Sequence, residues 1–328
     1  MRVVLGSLKA MLWLLAAVGS VALILAIMIA TPLKLPAPLP FIADAVHPVG
    51  YEGLPPMLVF RARDGSYLAY RHYPATTPVT GRVAVLIHGS SGSSLAMHPL
   101  AKALAARGVE SFVPDIRGHG ASGTLGDIGY LGQLDDDMAD LVAHIRSKGV
   151  TLPLTLVGHS SGGGFALRVA GSPNQNLFVR TVLLSPFLGV TAPSTRPNAG
   201  GWASPNIPRI IALSILRNAG IICCEQLPVV AFAVPEKLKN ILTSQYSFRL
   251  LANFSAHRDY RADLNGAKGP LTLIAGANDE LMFAEKYDEA VKGTAVKADI
   301  RILPDVNHMD VVSNARVTAV IAEDIATR

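Results

Sequence analysis

Ser160, Asp279 and His308 each follow a short apolar run, and together they suit nucleophilic acyl chemistry. Ser160 is the centre of Gly158-His159-Ser160-Ser161-Gly162, a G-x-S-x-G pattern. Small residues recur often, so the pattern alone is cheap, and its rival is a Gly/Ser-rich loop with no chemistry. Its setting narrows the choice. Apolar residues 154–157 read as a strand, and 163–170, rich in small residues, read as a helix. A tight strand-to-helix turn lifts a serine hydroxyl above the sheet edge, and glycines two positions either side leave room for it. The free N–H groups of the following helix then face developing negative charge.

A serine hydroxyl needs a base, and the base needs a carboxylate to orient it. His308 lies between the last strand pattern and the last helix pattern, in Pro304-Asp305-Val306-Asn307-His308-Met309. Asp279 follows the apolar run 271–275, and Glu280 beside it is the substitute. The rival readings are a surface histidine and a loop-capping carboxylate. The backbone N–H of Ser161 is one expected oxyanion donor. The other is expected from the loop after residues 83–87, where His88-Gly89 precedes Ser90; Ser90 is the first choice and Ser91 the second. His88 itself reads as a residue that orders this loop by hydrogen bonds.

The elements that must position these residues alternate. Residues 57–63 and 66–73 flank Asp64-Gly65, a hairpin signal. Strands are expected at 83–87, 109–114, 154–157, 179–184, 271–275 and 300–303, and helices at 95–107, 133–148, 163–170, about 283–291 and 315–326. This is an α/β pattern, a mostly parallel sheet covered by helices on both faces. Asp135, Asp136 and Asp137 open a helix and read as dipole stabilisers rather than metal ligands. The three candidates follow strand ends, where open α/β sheets place their sites.

His88-Gly89, Asp115-x-Arg117-Gly118-His119-Gly120-x-Ser122, Gly158-His159-Ser160-x-Gly162, Gly276-x-x-Asp279 and Asn307-His308 together resemble the α/β-hydrolase superfamily. The Arg-Gly-His-Gly-x-Ser stretch is similar to the serine lysophospholipase and monoacylglycerol-lipase group. The resemblance covers roughly residue 57 to the C-terminus. It implies a Ser160–Asp279–His308 triad acting through an acyl-enzyme, no cofactor, and a non-catalytic wall role for the loop at 115–120. The expected substrate is a lipid or other apolar acyl ester. Acyltransferase, thioesterase and peptidase activity with the same triad remain alternatives, as does a binding module without catalysis.

Residues 188 to about 258 break the alternation and are expected to form a helical cap. Their strongly apolar part, 207–234, is interrupted by Arg209, Arg217, Glu225 and Pro228, too often for a second span. At the other end of the chain, residues 10–30 carry no charge and would make roughly 31 Å of helix, a bilayer's thickness. An uncleaved membrane anchor over 1–34 is expected. The rivals are a signal peptide, for which Met28-Ile29-Ala30 is a poor cleavage site, and a core helix. Arg2 and Lys9 before the span and Lys34 after it favour an extracytoplasmic catalytic domain. Residues 35–56, rich in proline, read as a linker, and 57–328 as the catalytic domain.

Composition agrees with an apolar partner. Half of the 328 residues are hydrophobic and 16% are charged, against about 25% in ordinary soluble domains. The net charge of +5 comes from scattered Lys and Arg, with no basic stripe to hold nucleic acid. The two cysteines, Cys223 and Cys224, are adjacent. They make no disulfide framework or metal site and read as two small buried side chains.

Overall fold

The computed structural model describes residues 2–39, 52–239 and 241–328. Most of the expected linker, 40–51, lies outside them.

Helix α1 (Arg2–Ala30) is followed in sequence by a hairpin, β1 (Met57–Arg61) and β2 (Tyr67–Tyr73), turning at Asp64-Gly65 with Gly65 at φ 86°. Strands β3 (Val83–Ile87), β4 (Glu110–Pro114), β5 (Leu154–His159) and β6 (Arg180–Leu184) come next. Between them run helices α2 (His98–Ala105), α3 (Gln133–Ser147) and α4 (Ser161–Ala170). Helix α2 begins about a turn later than expected, after a 3-10 turn at Ser94–Met97, with Pro99 in its first turn where no N–H is needed.

The cap then interposes two short strands around a helix: β7 (Ala203–Pro205), α5 (Ile207–Asn218) and β8 (Pro228–Phe232). A third strand, β9 (Gln245–Ser247), runs into α6 (Phe248–Asn253). After α7 (Tyr260–Gly266) the core resumes with β10 (Leu271–Gly276), α8 (Tyr287–Val291), β11 (Ala298–Leu303), α9 (Asp310–Ser313) and α10 (Ala315–Thr327).

The main sheet has eight strands in the order β1-β2-β4-β3-β5-β6-β10-β11. The first three pair antiparallel, and β4 through β11 pair parallel. Alternation along β3 divides the core: Val83, Val85 and Ile87 face the α3/α4 side, while Ala84 and Leu86 face the α2/α10 side. From β3 the chain moves outward one way to β4 and back across to β5. The order reverses between β3 and β5, a switch point at whose C-terminal strand ends open α/β sheets hold ligands.

The cap is less helical than expected. β7, β8 and β9 form an antiparallel sheet. The apolar run at 207–234 divides at Gly220, whose φ of 77° ends the helical course; beyond it Pro228-Val229-Val230-Ala231-Phe232 takes the extended form that β-branched residues favour. Cys223 and Cys224 sit in that connection. They are free thiols, Cys223 exposed and Cys224 half-buried, and not the buried pair expected, because the helix that would have covered them has ended.

Candidate active site

The parallel strands deliver the expected residues to one edge. Ser160 follows β5 directly and caps α4 with φ 54° and ψ −120°, a strained conformation for a residue with a Cβ. The strain is held by hydrogen bonds: Ser160 N–H donates to Leu184 O at 2.9 Å, and its carbonyl accepts from Gly164 and Phe187. Both flanking glycines are required. A Cβ on Gly158 would lie 2.1 Å from Gly162 O, and one on Gly162 would lie 2.3 Å from His88 O. The turn is thereby wedged between its own helix and the end of β3.

Asp279 and His308 meet across the ends of β10 and β11. His308 Nδ1 lies 2.8 Å and 3.0 Å from the two Asp279 oxygens, and both residues are about 1% exposed. Burial alone would raise the Asp279 carboxyl. The His308 ring and the backbone N–H of Met282 more than offset it, so the group is held below its ordinary value and stays a carboxylate.

Neither acidic neighbour reaches the ring as the acid would. Glu280 Oε2 accepts the backbone N–H of His308 at 3.0 Å, and Asp310 accepts that of Asn307. A supporting residue the sequence did not single out is His159. Its Nε2–H donates to His308 O at 3.1 Å, and the two rings are 4.8 Å apart. Full burial and the neighbouring His308 lower its pKa to about 3, so it serves as a neutral donor.

The loop after β3 passes over the serine: a Cβ on Gly89 would be 3.1 Å from Ser160 Cβ. His88 orders this loop as expected. Its Nε2 accepts Ile116 N–H at 3.1 Å, which leaves Nδ1–H to donate to Gly89 O at 2.8 Å. Because that peptide is trans, its other end, Ser90 N–H, points away from His88. Ser91 N–H is engaged elsewhere, donating to Tyr246 Oη at 2.7 Å. Ser161, the first residue of α4, has an N–H with no carbonyl one turn back to receive it.

The loop at 115–120 is fixed by side-chain hydrogen bonds. Asp115 accepts Ser94 and Ala121 N–H, and Arg117 grips Asp137 through two nitrogens at 2.7 Å and 2.8 Å. Asp135 pairs instead with Arg168, and Asp136 with Arg63, so the three consecutive aspartates each serve a different arginine. No cluster of His, Cys, Asp or Glu suited to a metal occurs among the described residues.

A family profile described as "Serine aminopeptidase, S33" matches residues 79–309. The chain is 30% identical to the monoglyceride lipase of Saccharomyces cerevisiae over 135 residues, 38% of this chain and 42% of that protein. It is 32% identical to the non-heme chloroperoxidase CPO-A1 of Kitasatospora aureofaciens over 129 residues, 39% and 44% of the two chains. Each match thus spans less than half of the curated relative. The crystal structure of the Paleococcus ferrophilus monoacylglycerol lipase superposes with a TM-score of 0.58 at 19% identity, over 79% of this chain and 98% of that one. At that identity the likeness speaks for the fold, a mostly parallel sheet with helices on both sides and an inserted cap. The profile match, extending from before β3 to the histidine after β11, identifies the chain as a member of the α/β hydrolases of the S33 serine aminopeptidase family.

Proposed function

We propose that this chain is a serine hydrolase of carboxylic esters, with a lipid or other apolar acyl ester as substrate. The observation that carries the reading is the buried Asp279–His308 pair at the same sheet edge as Ser160 on its strained turn. Ser160 Oγ attacks the ester carbonyl as its proton passes to His308 Nε2. Asp279 keeps Nδ1–H directed away from the serine and stabilises the imidazolium. The oxyanion is received by Ser90 and Ser161 N–H; Ser90 is preferred to Ser91 because Ser91 N–H already has an acceptor. As the tetrahedral species collapses, His308 returns the proton to the departing alcohol. Water then attacks the acyl-enzyme by the same steps in reverse, and Ser160 regains its proton.

The monoglyceride lipase among the relatives supports a lipid ester as substrate. The α1 segment supports a membrane setting. Lys9–Ala30 has a mean hydropathy of 2.7 with none of it buried. Where it ends, the cap takes hold: Arg209 donates to Ile29 O and Thr31 O, and Asn206 Nδ2 donates to Thr31 O. Ile29 packs on the cap cluster of Leu213, Val229 and Phe248, a contact that cleavage after Ala30 would remove. The neighbouring helix α5 exposes Ile207, Ile211 and Ile215, an uncharged stripe at helical spacing. We read α1 as an anchor with the catalytic domain on the extracytoplasmic side.

A second reading, aminopeptidase, follows from the family's description. One experiment separates these and the non-catalytic alternative. Fluorophosphonate labelling is expected at Ser160 and absent in Ser160→Ala, and p-nitrophenyl octanoate is expected to be cleaved faster than acetyl esters and amino-acid p-nitroanilides. Faster anilide cleavage points to the peptidase, and an unlabelled wild type refutes catalysis by Ser160.

A further inference from the structure

The cap does more than cover the site: it grips the loop that would supply the second oxyanion donor, and it does so at two successive residues. Trp202 Nε1–H, just before β7, donates to Ser90 Oγ at 2.8 Å. Tyr246, in β9, accepts Ser91 N–H at 2.7 Å, and the backbone N–H of Thr243 donates to Ser91 O at 3.0 Å. Ser91 has φ 64°, a left-handed conformation costly for serine, so the loop adopts this course only while outside contacts impose it.

The tyrosine is itself held. With its oxygen accepting from Ser91, its O–H hydrogen goes to His119 Nε2. His119 directs Nδ1–H to the Ile116 and Arg117 carbonyls and lies edge-on to His88, 4.9 Å away. A continuous relay therefore runs from Ser91 N–H through Tyr246 and His119 to the loop at 115–120. That loop returns to His88, whose Nδ1–H holds the Gly89 carbonyl. Both ends of the peptide segment bearing Ser90 N–H are fixed, one by His88 and the other by the cap. The Tyr246 ring is fully buried against Phe232 and Phe254, so the hydroxyl cannot swing away without the strand.

We propose that Tyr246 is a positioning residue for the oxyanion hole, so that Ser90 N–H is aimed at the developing oxyanion only while the cap is docked on the loop. This rests on the reading of Ser90 N–H as a donor in ester hydrolysis. A cap displaced by a bulky or poorly fitting acyl group would release Ser91 and let the loop relax from its strained course. Substrate fit in the cap would thus be felt in the chemical step as well as in binding.

The test uses the full chain in detergent and three measurements on wild type and Tyr246→Phe: active-site titration with a fluorophosphonate, kcat and KM for p-nitrophenyl octanoate, and inhibition by an alkyl boronic acid that mimics the tetrahedral species. Tyr246→Phe keeps the ring and removes the atom that accepts Ser91 N–H, leaving the Thr243 contact to Ser91 O in place. The expected result is a titre equal to wild type and an unchanged KM, with kcat per titrated site lowered about tenfold or more and boronate affinity weakened in parallel. A role in stability alone would lower the titre and leave kcat per site intact, and that result overturns the proposal. So does a lowered kcat with unchanged boronate affinity, because the tyrosine would then act elsewhere than on the oxyanion. If Tyr246→Phe does not fold, Trp202→Phe carries the test through the Ser90 side: a several-fold loss of kcat per site is expected, and none overturns it. A wild type that is neither titrated nor active refutes the hydrolase reading and this inference with it. An active wild type with an unimpaired Tyr246→Phe refutes the positioning role alone.

Discussion

Glu280 accepts the backbone N–H of His308 at 3.0 Å, while its neighbour Asp279 takes the ring of the same histidine. Two adjacent carboxylates thus act on one residue at different points, one on its main chain and one on its imidazole. His159 adds a third hold by donating to the His308 carbonyl. Peptide N–H, peptide C=O and ring Nδ1 are all engaged, which leaves Nε2 as the ring atom available to a serine proton.

Asp279→Asn is therefore expected to fold normally and lose at least about 10²-fold in kcat, since it removes the charge and favours the wrong tautomer. Asp310→Asn should stay within a few-fold of wild type, because Asp310 serves only the Asn307 backbone. Glu280→Gln retains an acceptor for His308 N–H and should lose little, and Glu280→Ala should lose more. Steady-state kinetics on the four variants decide it. A near-normal Asp279→Asn beside a dead Glu280→Gln would reassign the acid.

How far the sequence revealed this site depended on where each residue's partner lies. Ser160 and Asp279 follow apolar runs whose burial the sequence displays, His308 follows the half-exposed strand β11, and their order along the chain constrains the pairing. Tyr246 was invisible for a physical reason. Its partner is the backbone N–H of Ser91, 155 positions away, and a peptide N–H carries no residue-specific mark. The cap sheet is not legible because the apolar runs of 207–234 between Arg209, Arg217, Glu225 and Pro228 are short, and short apolar runs do not separate strand from helix. Gly220 followed by a proline and β-branched residues was the available signal.

Acid should destabilise the fold before it protonates carboxylates. The pKa of His159 is lowered to about 3, chiefly by burial, against an ordinary value near 6.5, and burial also lowers those of His88 and His119. Between those values the unfolded chain binds protons that the native chain refuses, so stability rises with pH across the window and is lost as pH falls below about 6.5. Asp279, lowered instead, contributes stability above its unfolded value and loses it only at more acidic pH. Urea midpoints measured from pH 7.5 to 5 are expected to decline, and His159→Gln should flatten the slope. A midpoint constant to pH 5 would contradict neutral burial of these rings.

Gly158→Ala should be among the most damaging small changes in the chain. The added methyl would stand 2.1 Å from Gly162 O and 2.9 Å from Ala166 Cβ, both parts of the helix that carries Ser161. Relief requires α4 to move off the strand, at a cost of about 1–3 kcal/mol by analogy with overpacked cores. The measurable result is a lower melting temperature together with loss of fluorophosphonate labelling. A variant with wild-type stability and labelling would mean the turn is looser than its contacts indicate.

Arg209 offers a test of whether the anchor and cap behave as one unit. Its guanidinium donates to Ile29 O at 2.7 Å, Thr31 O at 2.6 Å and Pro228 O at 2.5 Å, joining the end of α1 to the cap strand β8. A cation at a helix C-terminus also complements the macrodipole. Arg209→Gln cannot reach all three carbonyls. With bonds to a charged group worth about 1.5–3 kcal/mol each and partial replacement by water, the loss should be about 2–4 kcal/mol. For a large domain that corresponds to a fall of roughly 4–16 °C in Tm. On the proposed reading of α1 as an anchor, membrane retention through a carbonate wash should not change, because a bilayer would hold Lys9–Ala30 by its apolar surface rather than by the latch. Limited proteolysis should meanwhile open new cuts near residues 31–39 and 219–227, the segments flanking the lost contacts. If Tm and the cleavage pattern both match wild type, the latch adds nothing, and α1 is only a tether. If the variant leaves the membrane instead, the segment is held by the protein and does not span a bilayer.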